Sequence, residues 1–166
     1  MKKFIAIIGA GLTYLFAGCA SEPVASVALP PVGPNPLAPQ SMSPGGSLEV
    51  FSRLSRRSDD GNQGSTYPIW YQHTDYNIYN LQGQLVKRVY NIAGHYEQSP
   101  RVVDLPPGEY VVTAQSDGYG WVKAPVFIKR GIITKLHLDG NWAPPSYAQK
   151  AQVVTMPKGG PVGWRM

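Results

Sequence analysis

One cysteine, Cys19, stands in a chain of 166 residues. No disulfide can form within the chain, so its folded part must be held by a hydrophobic core. Long apolar runs are missing too: the longest, Phe4 to Phe16, is about 13 residues against the roughly 20 that span a bilayer as a helix. Chemistry-bearing motifs are scarce. No HExxH and no nucleophile elbow occurs, and Asp60-Gly61-Asn62-Gln63-Gly64 has the turn residues of a calcium loop without its ligand spacing or closing glutamate. Ile7-Ile8-Gly9-Ala10-Gly11 opens like a dinucleotide-binding turn, but Tyr14 holds the sixth position and no acidic residue follows on a βαβ unit. The sequence therefore predicts no catalytic residue, no metal site and no cofactor, and a protein that is not an enzyme.

What the N-terminus does contain is a charged start, Met1-Lys2-Lys3, the short apolar run, and the small pair Ala17-Gly18 just before Cys19. Charge, apolar centre and small-residue exit make a secretory signal, expected to be removed as residues 1–18. Leu15-Phe16-Ala17-Gly18-Cys19 resembles the lipobox of bacterial lipoproteins, with Phe16 where Leu, Val or Ile is usual. That resemblance implies cleavage before Cys19, acylation of its thiol and amine, and attachment to the membrane through the acylated Cys19. Each buried methylene contributes about 0.8 kcal/mol, and more than one chain is needed for stable anchoring. Ala20 follows the cysteine where members kept at the inner membrane carry Asp, which implies the outer membrane of the bacterial cell envelope.

Loss of residues 1–18 removes Lys2 and Lys3 and no acid, leaving thirteen basic against ten acidic residues, a formal charge of +3. So mild a balance, with Arg53, Arg56-Arg57 and Lys129-Arg130 read as solvated turns, points away from nucleic acid as a partner. From Ala20 to Gly46 there are seven prolines, one charge at Glu22 and no aromatic residue. Such a stretch buries too little apolar surface to offset its ordering entropy, so residues 19–46 are expected to be a lipidated N-terminus and a disordered Pro-rich linker.

From Ser47 the pattern becomes short Val, Ile, Leu and Tyr runs cut by glycine turns, with no helical spacing held over three turns. The fold class is all-β, about seven strands over residues 47–140. Gln82-Gly83 predicts a two-residue hairpin link between Tyr76–Leu81 and Gln84–Tyr90. Pro107-Gly108 suits the middle of a type II turn. Ile132, Thr134, Leu136 and Leu138 alternate with Ile133, Lys135, His137 and Asp139, so one set faces the core. Ser99 to Asp139, with Leu105-Pro106-Pro107-Gly108-Glu109-Tyr110 and Val126-Phe127-Ile128-Lys129-Arg130-Gly131, resembles the carboxypeptidase-regulatory or transthyretin-like family. It implies a prealbumin-like (Ig-like) β-sandwich with structural or adhesive use and no catalytic residues.

Residues 141–166 form a Pro/Gly-rich extension that holds Trp142, Tyr147 and Trp164, and it is expected to pack on the sandwich or add an edge strand at Ala151 to Met156. Candidate contacts with a ligand or partner are Trp70, Tyr71, Tyr119, Trp121, Trp142 and Trp164, because Trp and Tyr join a large apolar face to a polar tip. The aromatic run Tyr67 to Tyr71 with Tyr76, Tyr79, Tyr90 and Tyr96 is expected to serve the core first, and Tyr119 and Trp121 to be exposed at their glycine turn. His73 with Asp75, and His95 with Glu97, lie two apart on strands and could each offer two metal ligands, yet all three histidines are expected at the surface. The expected partner is an envelope protein or a wall polymer, the latter bound as carbohydrate or peptidoglycan; a metal-assisted hydrolase through the two His–carboxylate pairs is the remaining reading.

Overall fold

A computed structural model describes residues 26–57, 70–92 and 98–166. Among them the chain is all-β. In order it forms β1 (Val27–Ala28), β2 (Val32–Gly33), β3 (Gly46–Phe51), β4 (Leu54–Arg57), β5 (Trp70–His73), β6 (Tyr76–Tyr79) and β7 (Leu85–Val89). There follow β8 (Val102–Leu105), β9 (Gly108–Ser116), β10 (Gly120–Ile128), β11 (Ile133–His137), β12 (Val153–Thr155) and β13 (Pro161–Arg165).

The larger sheet runs β12-β13-β2-β10-β9-β6-β7, with β1 also on β10; β11-β3-β8 is a second sheet and β4-β5 a ribbon. One apolar cluster joins the two main sheets. Leu48, Val50, Val103, Leu105 and Leu136 from the smaller sheet meet Ile78, Val112, Ala114, Val122 and Val126 from the larger. Period-two alternation produces this arrangement: along β10, Val122, Ala124, Val126 and Ile128 are buried while Lys123 is exposed. On β11, Thr134 and Leu136 are buried and Ile133 and Lys135 exposed.

The linker expectation needs correction for residues 27–33. Val27–Ala28 and Val32–Gly33 run parallel to β10, at Val27↔Val122 and Val32↔Val126, and Leu29 and Val32 are buried in the cluster. Three apolar side chains at Val27, Leu29 and Val32 supply the burial that a count of prolines hides. Pro30 and Pro31, which lack an N–H, fall in the break between the two strands. The C-terminal extension adds β12 and β13 beyond β2, with Trp164 opposite Gly33. These additions take the described strands past the seven expected.

Two turns differ from expectation. Asn80 N–H donates to Gln84 O and Gly83 N–H to Asn80 O, with Gly83 at φ 77°, so the β6–β7 link is a three-residue loop with a bulge rather than a two-residue one. Pro106-Pro107-Gly108 does not close a hairpin: β8 pairs with β3 and β9 with β6 and β10, so the turn carries the chain from one sheet to the other. Gly108 has φ 157°, far from the about +80° of a type II turn.

Candidate functional site

The outward side chains of β11 carry the most unusual surface of the described residues. His137 stacks on Phe51 of β3 (ring centroids 4.3 Å, 17° between planes) and on Trp142 just beyond β11 (4.9 Å, 5°). Trp142 meets Trp164 of β13 edge-on at 6.1 Å, and Tyr147 lies parallel to Trp164 at 6.4 Å. His73 of β5 also meets Phe51, edge to face at 5.7 Å. Six rings from five separate stretches of chain thus form one contiguous array.

Beside the array is a cleft of about 320 Å³. Ile133, Lys135 and His137 make its floor, Trp142, Pro145 and Trp164 one wall, and Asn35, Ala38 and Pro39 the other. Local chemistry holds each wall. Asn35 Oδ1 accepts the Leu37 N–H at 2.9 Å and Asn35 O accepts the Ala38 N–H, which fixes the turn that presents Pro39. Ser41 N–H then donates to Gly131 O, and Gly131 N–H to Gly45 O. Gly131 sits at φ 69°, and a Cβ there would come within 2.1 Å of the Ser41 carbonyl oxygen, so only glycine lets this segment close. After β11, Asp139 Oδ2 accepts the Asn141 Nδ2–H at 3.2 Å, bracing the turn before Trp142. Trp164 is drawn in because β13 lies tight against β2: a Cβ on Gly163 would meet Val32 Cγ1 at 2.5 Å and Lys135 O at 3.1 Å.

Charge in the cleft is nearly cancelled. Lys135 Nζ is 2.9 Å from Glu49 Oε2 and 5.7 Å from the centre of the Phe51 ring. Burial pushes His137 down to about 4, with Lys135 and His73 acting in the same direction and Asp139 opposing, so the imidazole is neutral at pH 7. None of the lining residues carries a carboxylate, and none pairs a nucleophile with a base. The arrangement suits binding: an apolar, concave, aromatic surface in the lower part of the about 300–1,000 Å³ range of ligand sites.

Of the residues singled out in the sequence, Trp142 and Trp164 come together here. Tyr119 and Trp121 lie at the β9–β10 hairpin and do not line the cleft; both are half-buried, and Tyr119 packs on the core with its hydroxyl accepting the Lys158 N–H, which corrects the expectation of exposure. Tyr71 is 45% exposed on β5, also away from the cleft; Trp70 is paired there with Arg57, and its side chain lies outside the description, as do Cys19, Asp60–Gly64, His95 and Glu97. Of the aromatic group expected in the core, Tyr76 is buried and Tyr90 exposed. Asn35, Pro39, Lys135, His137 and Pro145 were missed. The alternation on β11 had already set Lys135 and His137 on one outward face, and only their being read as ordinary surface hid them.

His73 also departs from the surface expectation: it is 6% exposed and belongs to a polar knot. Its Nδ1 bonds to the Ser52 carbonyl, not to the Ser52 hydroxyl, so His73 and Ser52 do not form a serine–histidine dyad. Ser52 Oγ donates to Thr74 O at 2.6 Å. Asn91 Nδ2 donates to Val50 O at 2.8 Å and Ser52 Oγ at 3.1 Å, Asn91 Oδ1 accepts the Arg101 N–H at 2.9 Å, and Asn91 N–H donates to Asp75 Oδ1. The knot satisfies backbone groups where β3 leaves its sheet. Among the described residues no group of three His, Cys, Asp or Glu side chains could hold a metal ion. Comparison with protein-family models, with curated proteins and with solved structures gives no match.

Proposed function

We propose that the chain is a non-enzymatic cell-envelope lipoprotein, anchored by acylated Cys19 after loss of residues 1–18 at what Ala20 suggests is the outer membrane, whose β-domain binds another envelope protein. The aromatic cleft over β11 carries this reading. Two tryptophans and a neutral histidine assembled from distant stretches, with no catalytic pairing among the lining residues, are the kind of desolvated anchor site on which protein contacts concentrate their energy. Two sheets sharing a core, with the Pro-Pro-Gly segment leading into the long β9–β10 pair, are compatible with a prealbumin-like sandwich. A wall polymer is the second reading, favoured by the partly exposed Trp142 ring, which could stack on a sugar face.

The anchor is tested by Cys19→Ser, expected to leave the precursor uncleaved and to abolish labelling with palmitate; persistent labelling refutes it. The binding role is tested by cross-linking the mature lipoprotein in its own membranes through a photoreactive residue at Pro145. One defined envelope-protein adduct, lost in Trp142→Ala, is the expected result. Sedimentation with purified sacculi and no protein adduct would replace the protein partner with the wall.

A further inference from the structure

The chemistry of the cleft narrows the occupant, on the reading that it is a binding site. Three properties of its walls act together. First, charge: Lys135 is matched by Glu49, His137 is flanked by Asp139, Lys135 and His73, and no lining side chain is acidic. An occupant bearing net charge would be desolvated there without a counter-charge. Second, hydrogen bonding: Asn35 Oδ1 already accepts one bond, from the Leu37 N–H, while its NH₂ is a donor and lysine and tryptophan side chains can only donate. Donors therefore outnumber acceptors among the polar side-chain groups of the lining residues, whose acceptors are the remaining lone pair of Asn35 Oδ1 and one nitrogen of His137. Third, shape and surface: Pro39 and Pro145 line the cleft together with Trp142 and Trp164, so pyrrolidine rings already share this lining with aromatic ones.

We infer that the cleft over β11 takes an uncharged, proline-rich polypeptide segment in the polyproline II conformation. Such a segment is the complement of these walls. Proline has no N–H, and a polyproline II helix makes no internal hydrogen bonds, so it presents carbonyl acceptors and few donors along an apolar ridge. Aromatic-lined grooves elsewhere use this match, gaining from the low conformational entropy of the preformed helix. Sugar hydroxyls are donors and acceptors at once, and a glycan would find fewer acceptors than it has donors against Lys135, Asn35 and the indoles. At about 320 Å³ the cleft admits a short stretch of such a segment rather than a whole domain.

The test uses the full mature chain with Cys19→Ser for solubility, ¹⁵N-labelled, and follows the indole N–H signals while acetyl-hexaproline amide is added. Trp142 and Trp164 should shift saturably while Trp121, on another part of the larger sheet, stays in place. Trp142→Ala should weaken binding by about tenfold or more, Trp142→Phe should weaken it less, and Tyr71→Ala should leave it unchanged. Acetyl-hexaglycine amide, which has carbonyls but no rings or preset φ, should not bind. Saturable shifts of Trp142 and Trp164 with chitotetraose and none with hexaproline would overturn the inference in favour of a sugar. Absence of shifts with either probe overturns it as well; the membrane cross-linking experiment then decides separately whether the protein has a partner.

Discussion

Phe51 touches two histidines, and the two regions to which they belong use their polar and aromatic groups in opposite ways. Toward His73 the contacts are mainly hydrogen bonds: Ser52, Asn91 and the ends of β3, β5 and β7 satisfy one another in a buried knot, in which Thr74 Oγ1 alone has no partner among the described residues. Toward His137 the contacts are ring faces, and one side of the array is left as a cleft. Hydrogen bonds fix one geometry and punish any loss, because a stranded buried group keeps its full desolvation cost. Stacked rings tolerate loss of a neighbour and can accept a new one. The first region therefore reads as structure, and the second is free to bind.

The comparison predicts its largest effect at Asn91. Asn91→Ala strands Val50 O and the Arg101 N–H, and takes one of the two bonds of Ser52 Oγ, in a place where the side chain is fully covered. A loss of about 3 kcal/mol or more is expected at about 1–3 kcal/mol per stranded group, with some relaxation. Urea unfolding measures it through the midpoint at constant slope. A loss under about 1 kcal/mol would mean that the knot is no more than a surface feature.

Next comes Gly163→Ala, which attacks the cleft from behind. The added methyl would sit 2.5 Å from Val32 Cγ1, so one of the two strands must move, and the expected one is β13, which takes Trp164 with it. Overpacking of this kind costs about 1–3 kcal/mol. Here the indole signals of Trp164 and Trp142 should change together while Asn91 and its neighbours keep their amide shifts. Retention of the Trp164 signal would show that β2 yields instead.

How much of this was legible in the sequence differs between the two regions. The strand faces were: alternation along Ile132–Leu138 set Lys135 and His137 outward, and Trp142 and Trp164 stood out by residue type. Pairing was not, since Pro106-Pro107-Gly108 has turn composition whether it closes a hairpin or, as here, changes sheets. Val27–Gly33 was hidden because a proline-rich composition outweighed three apolar residues whose partner, β10, lies about ninety positions away in sequence. The polar knot left no local signal at all. Asn91 looks like any loop asparagine until β3 is brought alongside it, 41 positions distant in sequence.

Removing one ring should separate the two regions further. Trp142→Ala deletes a half-exposed side chain, so it should cost about 1 kcal/mol or less while opening His137 to water. The pH dependence reports this. His137 titrates at about 4 in the folded protein and near 6.5 unfolded, so the unfolded chain binds the extra proton between those values. Its contribution to stability is complete above pH 6.5 and falls away as pH drops toward 4. In Trp142→Ala the histidine rises toward its ordinary value, and this part of the slope flattens. An unchanged His137 titration, followed by its ring proton shifts, would mean that Phe51 and the strand alone keep it dry.

The smallest effect falls in the core, at Tyr76. Burial raises its phenol well above the ordinary value near 10, with the Glu49 charge adding to this and Arg101 opposing, and its hydroxyl has no hydrogen-bond partner among the described residues. Tyr76 is thus an exception to the rule that governs the knot beside it. Tyr76→Phe removes an unsatisfied oxygen rather than a bond, and where no partner is left behind such a change is close to neutral or favourable. The expected result is a stability within about 1 kcal/mol of the parent, on the stabilising side. Above pH 10 the variant should also hold its stability better, because in the parent only the unfolded chain ionises there. A loss comparable to that of Asn91→Ala would reverse the assignment and make the Tyr76 hydroxyl a member of the knot.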